Sequence, residues 1–482
     1  MFKLPSETDN LLVMKFGGSC LQDAESFGKT IDIIKKYKNQ SKSHLVIVTS
    51  AIKGITDKLI NFYTKSCEEA PECDFIIENI YNIHKRIIDQ IIDENKPEYN
   101  DILDFLDENT EDLSQLGRIV RLLRPSMDIQ DIIVSYGERI STFILSQYIN
   151  SSDNGLKSQF ISSDEIIVTD DNFGNALPLL KESEELITKK VIPILEAEKI
   201  DVVNITGYYG STKDKKITTL GRGGTDLTAA IIAYCLKPRY NCKVIYWKDV
   251  RGFLNADPRI SIKTDLLKQI SYIEAKELAF FGSKVLHPVC LDVNEKRDVP
   301  SEIRSFDNPD SEEYTIITKE VVKDEKKIKA ITSIERLTMV TIESGTMISL
   351  PGTVSKLFSL LGDNNINIKF ISQSSSENNI TFGIDLDDST KVSFLLRNSD
   401  WFGKHWFSIK LDNDISLVAV IGAGMLHTPG IAGRVFTTLG NNNVNVRAIS
   451  QGSSELNITF IIEREDCKKA VNALYDAFIN KA

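Results

Sequence analysis

The chain has 482 residues, 42 % of them hydrophobic, and a formal net charge of −11 at pH 7. That length suits about three domains, and an acidic balance without a long basic block argues against nucleic acid as a partner. No apolar run reaches the roughly 18 residues of a membrane-spanning helix, and the polar start Met1-Phe2-Lys3-Leu4-Pro5-Ser6-Glu7 lacks the apolar core of a secretory signal, so a cytoplasmic protein without a membrane partner is expected.

In chain order, Leu11 to Phe16 and Leu45 to Thr49 are short apolar runs of the kind buried parallel strands show, and the helical spacing between Phe27 and Tyr37 makes a βαβ unit. Residues from 56 to about 135 carry helical periodicity with few glycines, which predicts a helical insertion. Strand-like runs return at Asp201 to Ile205 and Lys243 to Trp247, alternating with helices, so the first 300 or so residues read as one α/β domain. Ligands in such sheets bind beyond the carboxyl ends of the strands. Seven cysteines without a C-x-x-C pair point neither to a disulfide framework nor to zinc, and no metal ligands are assigned.

Several stretches suit anions. Gly221-Arg222-Gly223-Gly224-Thr225-Asp226 surrounds one guanidinium, one hydroxyl and one carboxylate with glycine, and a predicted helix over Leu227 to Ala233 turns its amide-rich end toward the same place. A tight surface turn is the bland alternative. Lys15-Phe16-Gly17-Gly18-Ser19 sets a lysine at a strand end before two glycines, suited to a phosphoryl group. Ser135-Tyr136-Gly137-Glu138 places a carboxylate where a strand-like run gives way to a helix; Glu138 suits a substrate ammonium or, equally, a helix-start acid. Lys248, Asp249, Arg259 and Lys284 spread charge over two further loops, which suits a nucleotide triphosphate held without a P-loop, although each cation alone also reads as a solvated surface charge. His287 reads as a packed or capping histidine. Gly28-Lys29-Thr30 ends like a Walker A motif, but Asp23 stands where its first glycine belongs.

Beyond residue 350 the chain repeats itself. Pro351 to Phe382 matches Pro429 to Phe460 without a gap, with about 18 of 32 positions identical. Each copy reads turn, amphipathic helix, Asn-Asn turn, strand, polar turn, strand, a small α+β module whose polar edge suits a small amino acid.

Together these motifs, in this order and at this spacing, resemble the aspartate kinases of the amino-acid kinase superfamily, with two C-terminal ACT domains. The resemblance covers nearly the whole chain and implies an α/β fold, an αβα sandwich around a mainly parallel sheet, over 1–305 with the helical insertion at about 56–135. A linker and a first strand shared with the ACT region follow at 306–336, then ACT domains at 337–412 and 413–482. It implies ATP and Mg²⁺ as co-substrate and cofactor, L-aspartate as acceptor and 4-phospho-L-aspartate as product. Lys15 would stabilise the transferring phosphoryl group and Asp226 would position the reacting groups; a carboxylate acceptor is already ionised at pH 7 and needs no base. Arg222 and Glu138 would hold the acceptor's carboxylates and ammonium, with hydrogen bonds from Thr56 and Thr225. Gly17, Gly18, Ser19, Lys248, Asp249, Arg259 and Lys284 would line the nucleotide site. Gln373, Gln451, Ile368 and Lys369 would meet an allosteric amino acid, threonine in preference to lysine, in an ACT-paired homodimer or larger homo-oligomer.

Three positions depart from the family pattern: Lys248 replaces a threonine, Leu254 an aromatic, and Ser19 a threonine. The repeats look most like those of bifunctional aspartokinase–homoserine dehydrogenases, yet no dehydrogenase domain and no G-x-G-x-x-G is expected within these residues. Another acid kinase, such as glutamate 5-kinase, would share the anion loops, and a non-catalytic amino-acid sensor would share the repeats.

Overall fold

The computed structural model describes residues 10–40, 43–70, 72–123, 125–151, 155–197, 199–261, 263–281, 285–321, 327–344, 351–373, 379–403, 407–452 and 454–480. They form two compact units: Met1–Gly252 with Lys268–Tyr272 and Val285–Glu320, and Phe253–Leu267 with Ile273–Lys284 and Val321–Ala482.

The first unit runs β1 (Asn10–Phe16), α1 (Ala24–Gln40), β2 (His44–Thr49), then four successive helices, α2 (Ile55–Cys67), α3 (Cys73–Ile91), α4 (Pro97–Leu122) and α5 (Met127–Ser151). It continues with β3 (Ser158–Ile161), β4 (Val168–Thr169), α6 (Leu180–Glu196), β5 (Val202–Thr206), β6 (Tyr209–Thr212), β7 (Ile217–Thr219), α7 (Gly224–Leu236), β8 (Asn241–Lys248) and β9 (Gln269–Ser271). After α8 (Tyr272–Phe280), which falls almost wholly in the second unit, come α9 (Pro288–Lys296), β10 (Ser301–Ser305) and β11 (Thr315–Thr318). Eight strands make one sheet in the order β3-β5-β2-β1-β8-β10-β11-β9, parallel throughout except where β11 meets β10. A smaller sheet holds β4, β6 and β7.

Near-continuous apolar runs are what a sheet covered on both faces requires. Leu11, Val13, Met14 and Phe16 of β1 are buried to that degree, and so is Lys15, the one charged residue of the strand, which lies 6 % exposed. Phe16 stacks on Trp247 of β8 with ring centroids 6.2 Å apart, which locks the carboxyl ends of the two strands together. The sheet order reverses at β1, between β2 and β8, and such a switch point opens a crevice beyond the strand ends.

One sequence expectation fails here. Ile132-Ile133-Val134 is not strand: it lies inside α5, and Glu138 sits in the middle of a 25-residue helix rather than at a helix start. The helix is buried on most of its circumference, so its apolar residues run together and lose the amphipathic period that marks a surface helix.

The second unit carries one six-stranded antiparallel sheet in the order β13-β14-β12-β15-β17-β16. Its elements are β12 (Ala330–Glu343), α10 (Thr353–Asp363), β13 (Ile368–Gln373), β14 (Asn379–Asp385), α11 (Ser389–Asn398), β15 (Ser408–Ile421), α12 (Ile431–Asn441), β16 (Ala448–Ser450), β17 (Asn457–Glu463) and α13 (Cys467–Tyr475). The 14-residue strands β12 and β15 each serve both repeats. The second half of β12 pairs with β14, the second half of β15 pairs with β17, and the two long strands pair with each other across a bulge near Leu337. Two apolar clusters result, one around Leu357, Leu361 and Phe382, the other around Val435, Leu439 and Phe460.

Candidate active site

Three charges from three elements meet at the switch point. Lys15 Nζ lies 2.7 Å from one carboxylate oxygen of Asp226, and Lys248 Nζ lies 2.7 Å from the other. Asp226 is there because Gly223, in the left-handed conformation at φ 76°, starts α7 so that its first turn abuts the end of β1. A side chain at 223 would also run into the His287 Cβ, 2.7 Å away. His287 itself caps α9, accepting the Val289 amide. Burial opposes ionisation of Asp226, but the two ammoniums outweigh it and hold the carboxyl below its ordinary range. Burial, with the charge of Lys248, drives Lys15 below its ordinary value. One carboxylate against two ammoniums leaves a net positive charge. Around it, Gly17 and Gly18 keep the β1 loop open: a Cβ at Gly17 would stand 3.0 Å from Lys15 Nζ, and one at Gly18 3.0 Å from the Ala51 carbonyl oxygen. Ser19 follows, half-buried, in the same turn.

A second cluster adjoins the carboxyl end of β2. Ser50 Oγ lies 3.4 Å from Glu138 Oε1 and 3.4 Å from Thr225 Oγ1, and the Ser141 hydroxyl donates to the Ser50 carbonyl. Glu138 is 2 % exposed, and its Oε2 has no hydrogen-bond partner among the described residues. Burial pushes its pKa up to about 8, against the pull of nearby backbone amides and the Ser50 hydroxyl. An orphaned, desolvated carboxyl is an acceptor awaiting a donor. Arg222 is exposed and in no ion pair among the described residues, and Thr56 lies half-buried in the first turn of α2 without a hydrogen bond to this cluster.

The structure therefore brings together Lys15, Gly17, Gly18, Asp226 and Lys248, and separately Glu138 with Thr225. Asp249 follows β8 on the surface. Arg259 belongs to the second unit, 79 % exposed by its side chain and paired with Asp257 at 2.6 Å. Lys284 lies outside the described residues. Sequence reasoning missed the direct grip of Lys248 on Asp226; a lysine at the end of the strand beside β1 was the available signal. No cluster of potential metal-ligating side chains occurs among the described residues. Elsewhere, a cavity of about 440 Å³ between α3 and α4 is lined by Asp74, Glu78, Asp107 and Glu111, a charge that repels phosphate.

The amino acid kinase family model matches residues 10–305, and an ACT-domain model matches 340–397 and 418–478. The chain belongs to the amino acid kinase family. It is 30 % identical over 479 residues to a bifunctional aspartokinase/homoserine dehydrogenase 1 of Zea mays, across 97 % of this chain and 50 % of the relative. It is 29 % identical to aspartokinase 2 of Arabidopsis thaliana, across 97 % of this chain and 84 % of the relative. The chain thus spans about half the length of the bifunctional relatives it matches. Among solved structures it resembles E. coli aspartokinase III with aspartate and ADP (TM-score 0.78, 27 % identity) and with lysine and aspartate (TM-score 0.79, 28 % identity); the first match covers 97 % of this chain and 99 % of that chain. Among the described residues no helix is long and apolar enough to cross a membrane.

Proposed function

We propose that this protein is an aspartate kinase, transferring the γ-phosphoryl group of ATP to the side-chain carboxylate of L-aspartate. The observation that carries this reading is the Lys15–Asp226–Lys248 cluster, a buried net positive charge with glycine-lined walls at a sheet switch point. It suits an anionic phosphoryl group, whose transfer depends on positioning and charge neutralisation. Asp226 orients both lysines, with the acceptor already ionised. Gly17, Gly18 and Ser19 would cradle phosphate oxygens, with Asp249 as a further nucleotide contact. Mg²⁺ would neutralise phosphate charge while held by phosphate oxygens, since both oxygens of Asp226 already face lysines.

Acceptor recognition follows from the second cluster. The free oxygen of Glu138 would receive the α-ammonium, Arg222 would hold a carboxylate bidentately, and Thr225 and Thr56 would donate hydrogen bonds. The two repeats would bind an allosteric amino acid through Ile368, Lys369, Gln373 and Gln451, and would pair between copies of the chain. A coupled ADP-release assay with L-aspartate, with L-glutamate and with no acceptor tests the reading. Turnover should require L-aspartate; turnover only with L-glutamate, or none with either, would overturn it.

A further inference from the structure

A buried carboxylate outside both clusters has no role so far. Asp131 of α5 is 1 % exposed, and no cation pairs with it among the described residues. Its Oδ2 accepts the Gly174 amide at 2.8 Å and the Thr219 amide at 2.8 Å, and its Oδ1 accepts the Thr219 hydroxyl at 2.7 Å. These donors come from two segments that lie far apart in sequence. The Ala176 amide donates to the Thr219 carbonyl at 2.8 Å, joining the two segments again, and a Cβ at Gly221 would fall 2.3 Å from Asn175 Oδ1. Arg222 is three residues beyond Thr219, so the path of its loop is set where Asp131 grips it.

The gripped segment also holds Tyr208, whose carbonyl accepts the Leu220 amide at 2.8 Å. Tyr208 is held at φ 77°, a strained value for a non-glycine residue, by its amide bond to Thr228 and its carbonyl bond from the Leu220 amide. Its ring lies so close to Gly224 that a Cβ there would stand 2.8 Å from Tyr208 Cδ2.

We propose that Asp131 is a positioning residue of the acceptor site, one carboxylate that fixes the loop carrying Arg222 and, through the Leu220 amide next to Thr219, the backbone of Tyr208. This rests on the acceptor reading above. The anchor touches neither the Lys15–Asp226–Lys248 cluster nor the β1 glycines, so its loss acts on acceptor affinity and spares the nucleotide.

Steady-state kinetics of the full chain test this with Asp131→Ala, Asp131→Asn and Thr219→Val. Asparagine can turn its carbonyl to both amides and donate its NH₂ to the Thr219 hydroxyl, so it conserves the anchor. Asp131→Ala should raise KM for L-aspartate about tenfold with KM for ATP within about twofold, Thr219→Val should raise it about threefold, and Asp131→Asn should stay near wild type. The inference is overturned if Thr219→Val leaves KM for L-aspartate unchanged, or if any rise is matched in KM for ATP; Thr219→Val decides alone should Asp131→Ala not fold. Wild-type protein that fails to phosphorylate L-aspartate would instead refute the kinase reading, and this inference with it.

Discussion

Lysine meets aspartate in both units, in opposite surroundings. In the first, Lys15 and Lys248 share Asp226, and the side chains of Lys15 and Asp226 are 7 % and 6 % exposed. In the second, Lys369 of β13 faces Asp385 of β14 at 3.1 Å, with those side chains 20 % and 45 % exposed, and the equivalent place in the other repeat holds Arg447 against Glu463 at 3.0 Å. A cross-strand pair that recurs in both repeats is a feature of the module, and water screens it. The buried trio is a different object, since desolvation makes each charge depend on the others. The chain invests buried charge where the proposed phosphoryl group would arrive and leaves the antiparallel sheet of its second unit with solvent-screened pairs.

The sharpest way to break this contrast is one substitution made twice. Asp226→Asn leaves two buried ammoniums facing a neutral amide. It should lower kcat about a hundredfold or more and destabilise the fold by about 3–5 kcal/mol, the usual result of removing one partner from a buried ionic group. Asp385→Asn should cost less than about 1 kcal/mol, as exposed pairs do. Denaturant unfolding measures both, and equal losses would erase the distinction.

Within the first unit, Lys15→Ala and Arg222→Ala should separate kinetically. Lys15 lies in the cluster proposed to meet the transferring group, so its loss should fall mainly on kcat, by about a hundredfold. Arg222 is exposed and in no ion pair among the described residues, so its loss should raise KM for L-aspartate about tenfold or more and leave unfolding nearly unchanged. A Lys15→Ala enzyme with near-wild-type kcat would remove the phosphoryl group from this cluster.

Glu138 gives a pH dependence of definite sign. Its pKa, about 8 in the folded protein, lies above the ordinary carboxyl value. The folded state therefore holds a proton that the unfolded state releases, and this residue's contribution to stability falls as pH rises from about 4.5 toward 8. Acceptor binding runs the other way, because only the ionised carboxylate pairs with an ammonium. KM for L-aspartate should fall as pH rises through 8, and Glu138→Gln should bind weakly and lose that slope. A slope retained in the Gln variant would place its origin elsewhere.

Much of this was legible in the sequence, for a physical reason: β1, β2, β5 and β8 are short, fully covered strands, and glycines at 17, 18, 221, 223 and 224 announced close backbone approach. What escaped were properties that only packing creates. Ile132 to Val134 reads as strand because a helix buried on most sides has no amphipathic signature. The sharing of β12 and β15 between repeats is invisible to an internal match that starts after β12 ends and finishes before β17 does. Lys248 read as a nucleotide-loop cation, and only the pairing of β8 with β1 sets it against Asp226.

The smallest expected effects concern the effector, and the Lys369–Asp385 pair refines them. Gln373 ends β13 and Gln451 follows β16, both exposed, and their amides suit a neutral hydroxyl-bearing amino acid such as threonine; residues 374–378 lie outside the described ones. In the sequence alone, Lys369 reads as a like charge that repels an effector lysine by about 4 kcal/mol at 4 Å and an effective dielectric of 20. In the structure its ammonium is engaged by Asp385, so the repulsion would be smaller and the pair, rather than the lysine, would govern the proposed selectivity. An effector shifts the enzyme only by binding active and inactive states unequally. Initial rates should accordingly fall with millimolar L-threonine and resist L-lysine, and Gln373→Ala with Gln451→Ala should relieve the threonine effect with the uninhibited rate within about twofold of wild type. Lys369→Ala should go further: it releases the Asp385 carboxylate to receive an ammonium, and the variant should become measurably sensitive to L-lysine. A variant still indifferent to lysine would return Lys369 to a purely structural pair, and strong inhibition of the wild-type enzyme by lysine alone would reject threonine as the effector.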